Sequence, residues 1–348
     1  MDKNTKYCAV NAKVLSMFGK FLKDEDYKNL IALKSSSEIA KYLKDNTAYG
    51  EFFKDRDTSK MHRDDIEKCL KEGIGHSIDK LINYFTNDYR DFFKCFYSRY
   101  EIYDLKSIAR TIQVDRDYSQ IKNSMVFAGR YRHIDRDSLI QARSVSDLIY
   151  ALDGTIYYPY LKTLIDGNKN ESLFRFEMTL DKAYFNILDD KLKKLDKEDI
   201  NIFTELMGCS IDMTNLQWIY RGKKYYNLSS EEIFNYSLNR GNKFSYKKIK
   251  ELCYLNSLEE FIERIKGTQY EFMFKGDEKQ DIYMERRMNR FMYFKLKSFK
   301  TKASLNIATV IAFIELVEFE IRDIISITEN VRYGMEYDEA KKYLIKAL

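Results

Sequence analysis

Proline is nearly missing from this chain: Pro159 is the only one in 348 residues. Ordinary globular sequences carry about 5% proline. With only 13 glycines besides, there are few places to break a helix, which favours long helices and disfavours a turn-rich β protein. Histidine is almost as scarce, limited to His62, His76 and His133. The five cysteines, Cys8, Cys69, Cys95, Cys209 and Cys253, are odd in number, widely spaced and without a C-x-x-C pair. That pattern predicts free thiols in a reducing compartment, not a disulfide framework or a zinc site. No glycine-rich phosphate loop, dinucleotide fingerprint or G-x-S-x-G elbow occurs. No serine or cysteine has a sequence neighbourhood that suggests activation by a histidine. The sequence offers no catalytic residue and no cofactor-binding motif.

Two further shortages narrow the class. There is no marked excess of one charge: 59 Lys and Arg against 54 Asp and Glu leave +5, spread without a basic block. A nucleic-acid partner usually calls for cations gathered on one face or tail, so none is expected. There is also no hydrophobic run long enough for a membrane. The most apolar stretch, Ala303 to Ile327, has an uncharged part of 12 residues, Ala303 to Ile314, before Glu315, Glu318, Glu320, Arg322 and Asp323. A spanning helix needs about 20, so a buried helix of a soluble protein is expected there. The opening "MDKNTKYCAVNAKV" lacks the apolar centre of a signal peptide.

Apolar and aromatic residues are plentiful. Hydrophobic content is 45%, with 28 tyrosines and 23 phenylalanines. A tyrosine lets a helix bury a ring and still satisfy a hydroxyl. The fold class expected is all-α.

One short phrase recurs. "LDGTIY" (Leu152 to Tyr157) is echoed by "IKGTQY" (Ile265 to Tyr270) and, more loosely, by "LKDNTAY" (Leu43 to Tyr49). The residues suited to a left-handed helix end, Asn46, Gly154 and Gly267, stand 108 and 113 apart. Each is followed by a threonine, Thr47, Thr155 and Thr268. Positive φ at the first residue and an N-capping hydroxyl at the second predict helix, tight corner, helix. Upstream of each corner a serine precedes an acid, as in Ser37–Glu38, Ser146–Asp147 and Ser257 before Glu259–Glu260. That arrangement predicts a capped helix start.

A second signature keeps the same period: "EIYDLKSIAR", "DMTNLQWIYR" and "EIRDIISITE" start at Glu101, Asp212 and Glu320, 111 and 108 residues apart. The shared positions are Glu101, Asp104, Leu105 and Ile108; Asp212, Asn215, Leu216 and Ile219; Glu320, Asp323, Ile324 and Ile327. Spacing i, i+3, i+4, i+7 puts each set on one helical face, two polar groups followed by two apolar ones. Short helices follow, around Leu228 with a Ser229–Glu232 capping box and around Met335. Two landmarks with one period divide the chain into three helical repeats: 1–125, 126–235 and 236–348.

Paired carboxylates at i, i+3 also occur in di-metal helix bundles. Such bundles add histidines at matching spacing, which are missing here, and Asn215 interrupts the middle pair. The acids are therefore read as structural, bonding neighbouring helix ends or pairing with Arg110, Arg221 and Arg322. No metal site is expected.

These motifs, in this order, resemble the C subunit of archaeal and bacterial V-type (A-type) ATPases, the counterpart of the d subunit in eukaryotic vacuolar ATPases. The carriers are "YCAVNAKVLSM", "RSVSDLIYALDGTIYYPYL", "DMTNLQWIYRGKKYYNLSSEEI", "NSLEEFIERIKGTQYEF" and "IAFIELVEFEIRDIISI". Asp104 and Asp323 depart from the asparagine usual in that family, and Glu329 stands where the other copies have Arg110 and Arg221. The resemblance implies three repeats set around a pseudo-threefold axis as a funnel. It also implies a non-catalytic connector on the cytoplasmic face of the membrane, one copy per complex and monomeric alone. Its partners would be the proteolipid rotor ring and the D and F subunits of the central shaft, with no direct small-molecule substrate. Torque would pass through it between ATP turnover and proton or sodium movement. The alternative is a general α-helical repeat scaffold in another assembly.

Overall fold

The computed structural model describes residues 3–114, 134, 136–139, 141–165, 173–275, 280–300 and 305–346. The expectations touching His133, Ala303, Ser304 and the junction of the first two repeats lie outside these. Every regular element among the described residues is helical.

Two compact units result, one formed by Met1–Ile66 with Asp196–Leu348 and the other by Glu67–Leu195. The first unit opens with α1 (Lys3–Phe18), α2 (Asp24–Ala32), α3 (Ser36–Asn46) and the single turn α4 (Gly50–Phe53). The second holds most of α5 (Arg63–Ile82), then α6 (Asn87–Lys94), α7 (Ser98–Gln113), α8 (Arg136–Leu139), α9 (Val145–Tyr150), α10 (Tyr158–Ile165) and α11 (Leu173–Leu192). The chain returns to the first unit with α12 (Lys197–Lys224), α13 (Ser230–Tyr236), α14 (Tyr246–Cys253) and α15 (Leu258–Ile265). It ends with α16 (Gln280–Lys300), α17 (Ala308–Arg332) and α18 (Tyr337–Ala340). Pro159 sits in the first turn of α10, where no intrahelical donor is lost.

Serine caps open the short helices, with one correction to the residues expected. The caps of α3 and α9 are Ser35 and Ser144, and Ser37 and Ser146 lie inside the first turn. The hydroxyl must reach the N–H three residues on, so the acid that marks a cap stands at that distance. Ser35 accepts from Glu38 at 3.2 Å, Ser144 from Asp147 at 3.0 Å and Ser257 from Glu260 at 3.1 Å. The Ser229–Glu232 box forms as expected at the start of α13.

In the second unit, Leu105 and Ile108 of α7 share a core with Leu148, Leu152, Phe176 and Leu180. Lys106–Asp181 and Arg110–Glu177 tie α7 to α11 at 2.5 and 2.6 Å. In the first unit α17 is the core helix. Every residue from Ala308 to Ile321 is buried, Glu315, Glu318 and Glu320 among them, as suits a mostly apolar helix enclosed on all sides. It packs along α16 and α1, where Phe313 meets Phe18 and Phe21 at 5.4 and 5.8 Å. Among the described residues no helix is long and apolar enough to cross a membrane. Cys8 is exposed, the other four cysteines are buried, and all five are free thiols.

Candidate functional site

The two repeated signatures meet in space, and each meeting takes the same form. Helices α7, α12 and α17 carry the acid stripes, and all twelve stripe residues are buried. Glu101 and Asp212 are 0% exposed and Glu320 6%. A carboxylate taken from water needs donors nearby. In each copy the corner phrase supplies one through its final tyrosine. Tyr157 donates to Glu101 at 2.5 Å, Tyr270 to Asp212 at 2.7 Å, and Tyr49 to Glu320 at 2.7 Å. The order is offset: the second corner serves the first acid, the third serves the second, and the first serves the third.

The threonine sets each tyrosine in place. Its hydroxyl donates 2.7 Å to the carbonyl of Leu43, Leu152 or Ile265 at the end of the preceding helix. It accepts the N–H of Tyr49, Tyr157 or Tyr270 at 3.2–3.3 Å. Thr47, Thr155 and Thr268 therefore staple a corner together, a broader role than the N-cap expected of them. Gly154 and Gly267 have the positive φ foreseen, +76° and +73°. Asn46 does not. It remains the last residue of α3, and the chain turns at Thr47 (φ −129°, ψ 166°). The demand for glycine moves to Gly50, where a Cβ would stand 2.3 Å from the Lys44 carbonyl oxygen.

Backbone N–H groups complete the shells. Glu320 also accepts from Leu22 at 3.0 Å, and Asp212 from Lys243 and Phe244 at 2.7 and 3.3 Å. Gly241 keeps that second loop close, since a Cβ there would be 2.0 Å from Asp212 Oδ1. In the second and third stripes the second polar position clamps the chain beyond its helix. Asn215 donates to the Leu238 carbonyl at 2.9 Å and accepts its N–H at 2.8 Å. Asp323 accepts two successive N–H groups, Ile345 at 2.6 Å and Lys346 at 2.9 Å. A carboxylate cannot donate, so aspartate suits two N–H groups where asparagine suits one N–H and one carbonyl. Of the two kinds of partner foreseen, neighbouring chain segments are the ones that Asn215 and Asp323 meet, and Arg110 and Arg322 turn to other acids. Arg110 bonds Glu177 through two nitrogens, and Arg322 lies 3.8 Å from Glu285.

Burial dominates the electrostatics. It lifts Glu320 to about 8 and Asp323 to about 7 against the pull of their donors, and it raises Asp212 as well. Burial, then the adjoining carboxylate, pushes Tyr49 and Tyr157 well above the usual phenol range. Among the described residues no group of three or more His, Cys, Asp or Glu side chains is placed to hold a metal ion. Phenols that hold their protons and carboxylates turned to N–H and O–H donors can anchor segments to helices. Each such bond contributes on the order of 1.5–3 kcal/mol.

Sequence reasoning found the acids and the corners but not their pairing. The signal was present: tyrosine closes all three corner phrases, and an uncharged donor is what a buried acid needs.

An all-helical scaffold with one internal device written three times is the class of protein defined by this geometry. A family model described as ATP synthase (C/AC39) subunit matches residues 10–343, and the chain belongs to that family. It is similar to the A-type ATP synthase C subunit of Methanocaldococcus jannaschii, 25% identical over 346 residues, covering 97% of this chain and 86% of that protein. It is also similar to the A-type ATP synthase C subunit of Thermococcus kodakarensis, 24% identical with 98% and 91% covered, and to that of Methanococcoides burtonii, 26% identical with 89% and 86% covered.

Proposed function

We propose that this chain is the non-catalytic central-stalk connector of a rotary ATPase. It joins the central shaft to the membrane rotor ring and passes torque between ATP turnover and ion movement. Three repeats, 1–125, 126–235 and 236–348, stand around a pseudo-threefold axis as a funnel. One copy serves each complex, peripheral on the cytoplasmic face, with the proteolipid ring on its narrow side and the D and F subunits of the shaft in its open side.

The observation that carries this proposal is the cyclic order of the three tyrosine–acid bonds. A corner that always serves the acid of the preceding repeat, with the first corner serving the last acid, is what a closed set of three requires. An open stack would leave its first corner and last acid unused. Family membership over residues 10–343 supports the placement in an ATP synthase. Stiffness suits a torque coupler, and stapled corners between proline-poor helices supply it.

The test is recovery of the tagged chain from detergent-solubilised native membranes, followed by identification of what accompanies it. The proposal expects proteolipid ring subunits and shaft subunits together. Recovery with neither contradicts it.

A further inference from the structure

Glu320 and Asp323 stand three residues apart on α17, 6% and 1% exposed, and the two ends of the chain meet on them. From the N-terminal side, the Leu22 N–H donates to Glu320 Oε2 at 3.0 Å and the Tyr49 hydroxyl to Oε1 at 2.7 Å. From the C-terminal side, the N–H groups of Ile345 and Lys346 take the two oxygens of Asp323 at 2.6 and 2.9 Å. Lys346 then crosses to the other end. Its Nζ lies 2.8 Å from Asp24 Oδ1, 3.3 Å from the Leu22 carbonyl and 4.3 Å from the centre of the Tyr27 ring.

The charged and titratable groups facing this pair come from five segments. Tyr27 comes from α2, Tyr49 from the first corner, Tyr293 and Arg290 from α16, Glu318 from α17 itself, and Lys346 from the C-terminal segment. The two nearby cations have other work. The Lys346 ammonium is held by Asp24, and Arg290 donates to the carbonyls of Leu344 and Ile345 at 3.0 and 3.3 Å. Their pull on the pair is therefore shared with these other partners, and burial outweighs it when a second negative charge enters beside the first. The middle repeat has no such difficulty, because Asn215 occupies the position equivalent to Asp323 and clamps its segment while neutral.

We propose that Glu320 and Asp323 form a proton-responsive latch fastening both ends of the chain to α17. It is tight while at least one carboxyl keeps its proton and looser when both are ionised. The inference rests on the first unit alone and stands independently of the complex in which the chain serves.

The sign follows from linkage. Burial raises both carboxyls in the folded chain, to about 8 and about 7. Between the ordinary carboxylate range and those values the folded state keeps protons that the loosened state has released. The latch therefore weakens as pH rises through that window and is insensitive below it.

The experiment is hydrogen exchange on the full chain from pH 5.5 to 9, corrected for intrinsic rates, following the amides of Leu22, Ile345 and Lys346. In the unaltered chain, protection is expected to fall by roughly tenfold or more, the effect of about one shifted proton. In the double variant Glu320→Gln with Asp323→Asn the fall should shrink below about threefold on the same scale. A flat profile in the unaltered chain, or an equal fall in the variant, overturns the latch. Should the variant not fold, carbon-13 titration of the side-chain carboxyls in the unaltered chain decides. One carboxyl in this region titrating above pH 6 supports the proposal, and both titrating below pH 5 overturns it.

Discussion

Replacing Tyr49 by phenylalanine removes one oxygen and leaves nearly everything else in place. The ring is 5% exposed and stays packed edge-on to Phe52 at 5.8 Å, so no cavity opens. What goes is the 2.7 Å bond to Glu320 Oε1, which leaves the acid with the Leu22 N–H on its other oxygen. The loss depends on the charge that the acid carries. At pH 5.5 Glu320, lifted to about 8 by burial, keeps its proton, and a bond between neutral groups contributes about 1 kcal/mol. At pH 9 it is ionised, and a hydroxyl bonded to a buried carboxylate contributes about 2–3 kcal/mol. The cost of Tyr49→Phe should therefore rise by about 1–2 kcal/mol between those pH values, because the hydroxyl favours the ionised acid.

Urea unfolding followed by the fluorescence of Trp218, the only tryptophan and part of the first unit, measures this cost at each pH. A two-unit chain need not unfold in one step, so the transition reported by Trp218 is the one to compare. A cost below about 0.5 kcal/mol at both pH values, the size of an ordinary surface change, would refute the claim that the tyrosine holds the acid. A cost unchanged by pH would refute its link to the protonation of Glu320.

Other substitutions probe the remaining parts. Gly154→Ala and Gly267→Ala force a side chain into positive φ and should each cost about 1 kcal/mol or more in thermal or urea unfolding, whereas Asn46→Ala, at a helical position, should cost under about 0.5. Gly241→Ala puts a Cβ 2.0 Å from Asp212 Oδ1. It should cost more than about 2 kcal/mol by displacing the loop that caps the acid, and unaltered unfolding would show that the loop is not held there. The last residues of α12 and α17 are followed by Tyr225 and Tyr333, 54% and 69% exposed. As exposed aromatics they suit partner contact, so Tyr225→Glu with Tyr333→Glu should cut recovery of the ATPase partners by roughly tenfold or more. Urea unfolding of the chain alone should be unchanged, and full recovery would exclude these positions from the contact.

The helical class was legible from composition, because one proline and few glycines leave long helices as the natural outcome. The acid stripes were legible too, since i, i+3, i+4, i+7 spacing fixes a face whatever that face meets. What it meets was not. The bond from Tyr49 to Glu320 spans 271 residues, and no local pattern carries that distance. Charge complementarity pointed to Arg110 and Arg322, yet long side chains at a helix surface found surface acids while the buried acids took phenols and backbone. Asn46 failed as a helix-ending residue for a local reason. Asparagine can stay helical where glycine yields easily, and α3 kept one more residue before turning. The serine caps shifted because adjacent serines compete, and the one three residues from the acid prevails.

The proposed closed set of three repeats would couple a shaft to a ring. Electron cryomicroscopy of the ATPase purified through this chain tests it most directly. A single copy seated on the rotor axis between ring and shaft, with the three tyrosine–acid bonds related by a threefold rotation, is the predicted result. A copy lying off that axis, or three bonds with no such relation, would contradict it.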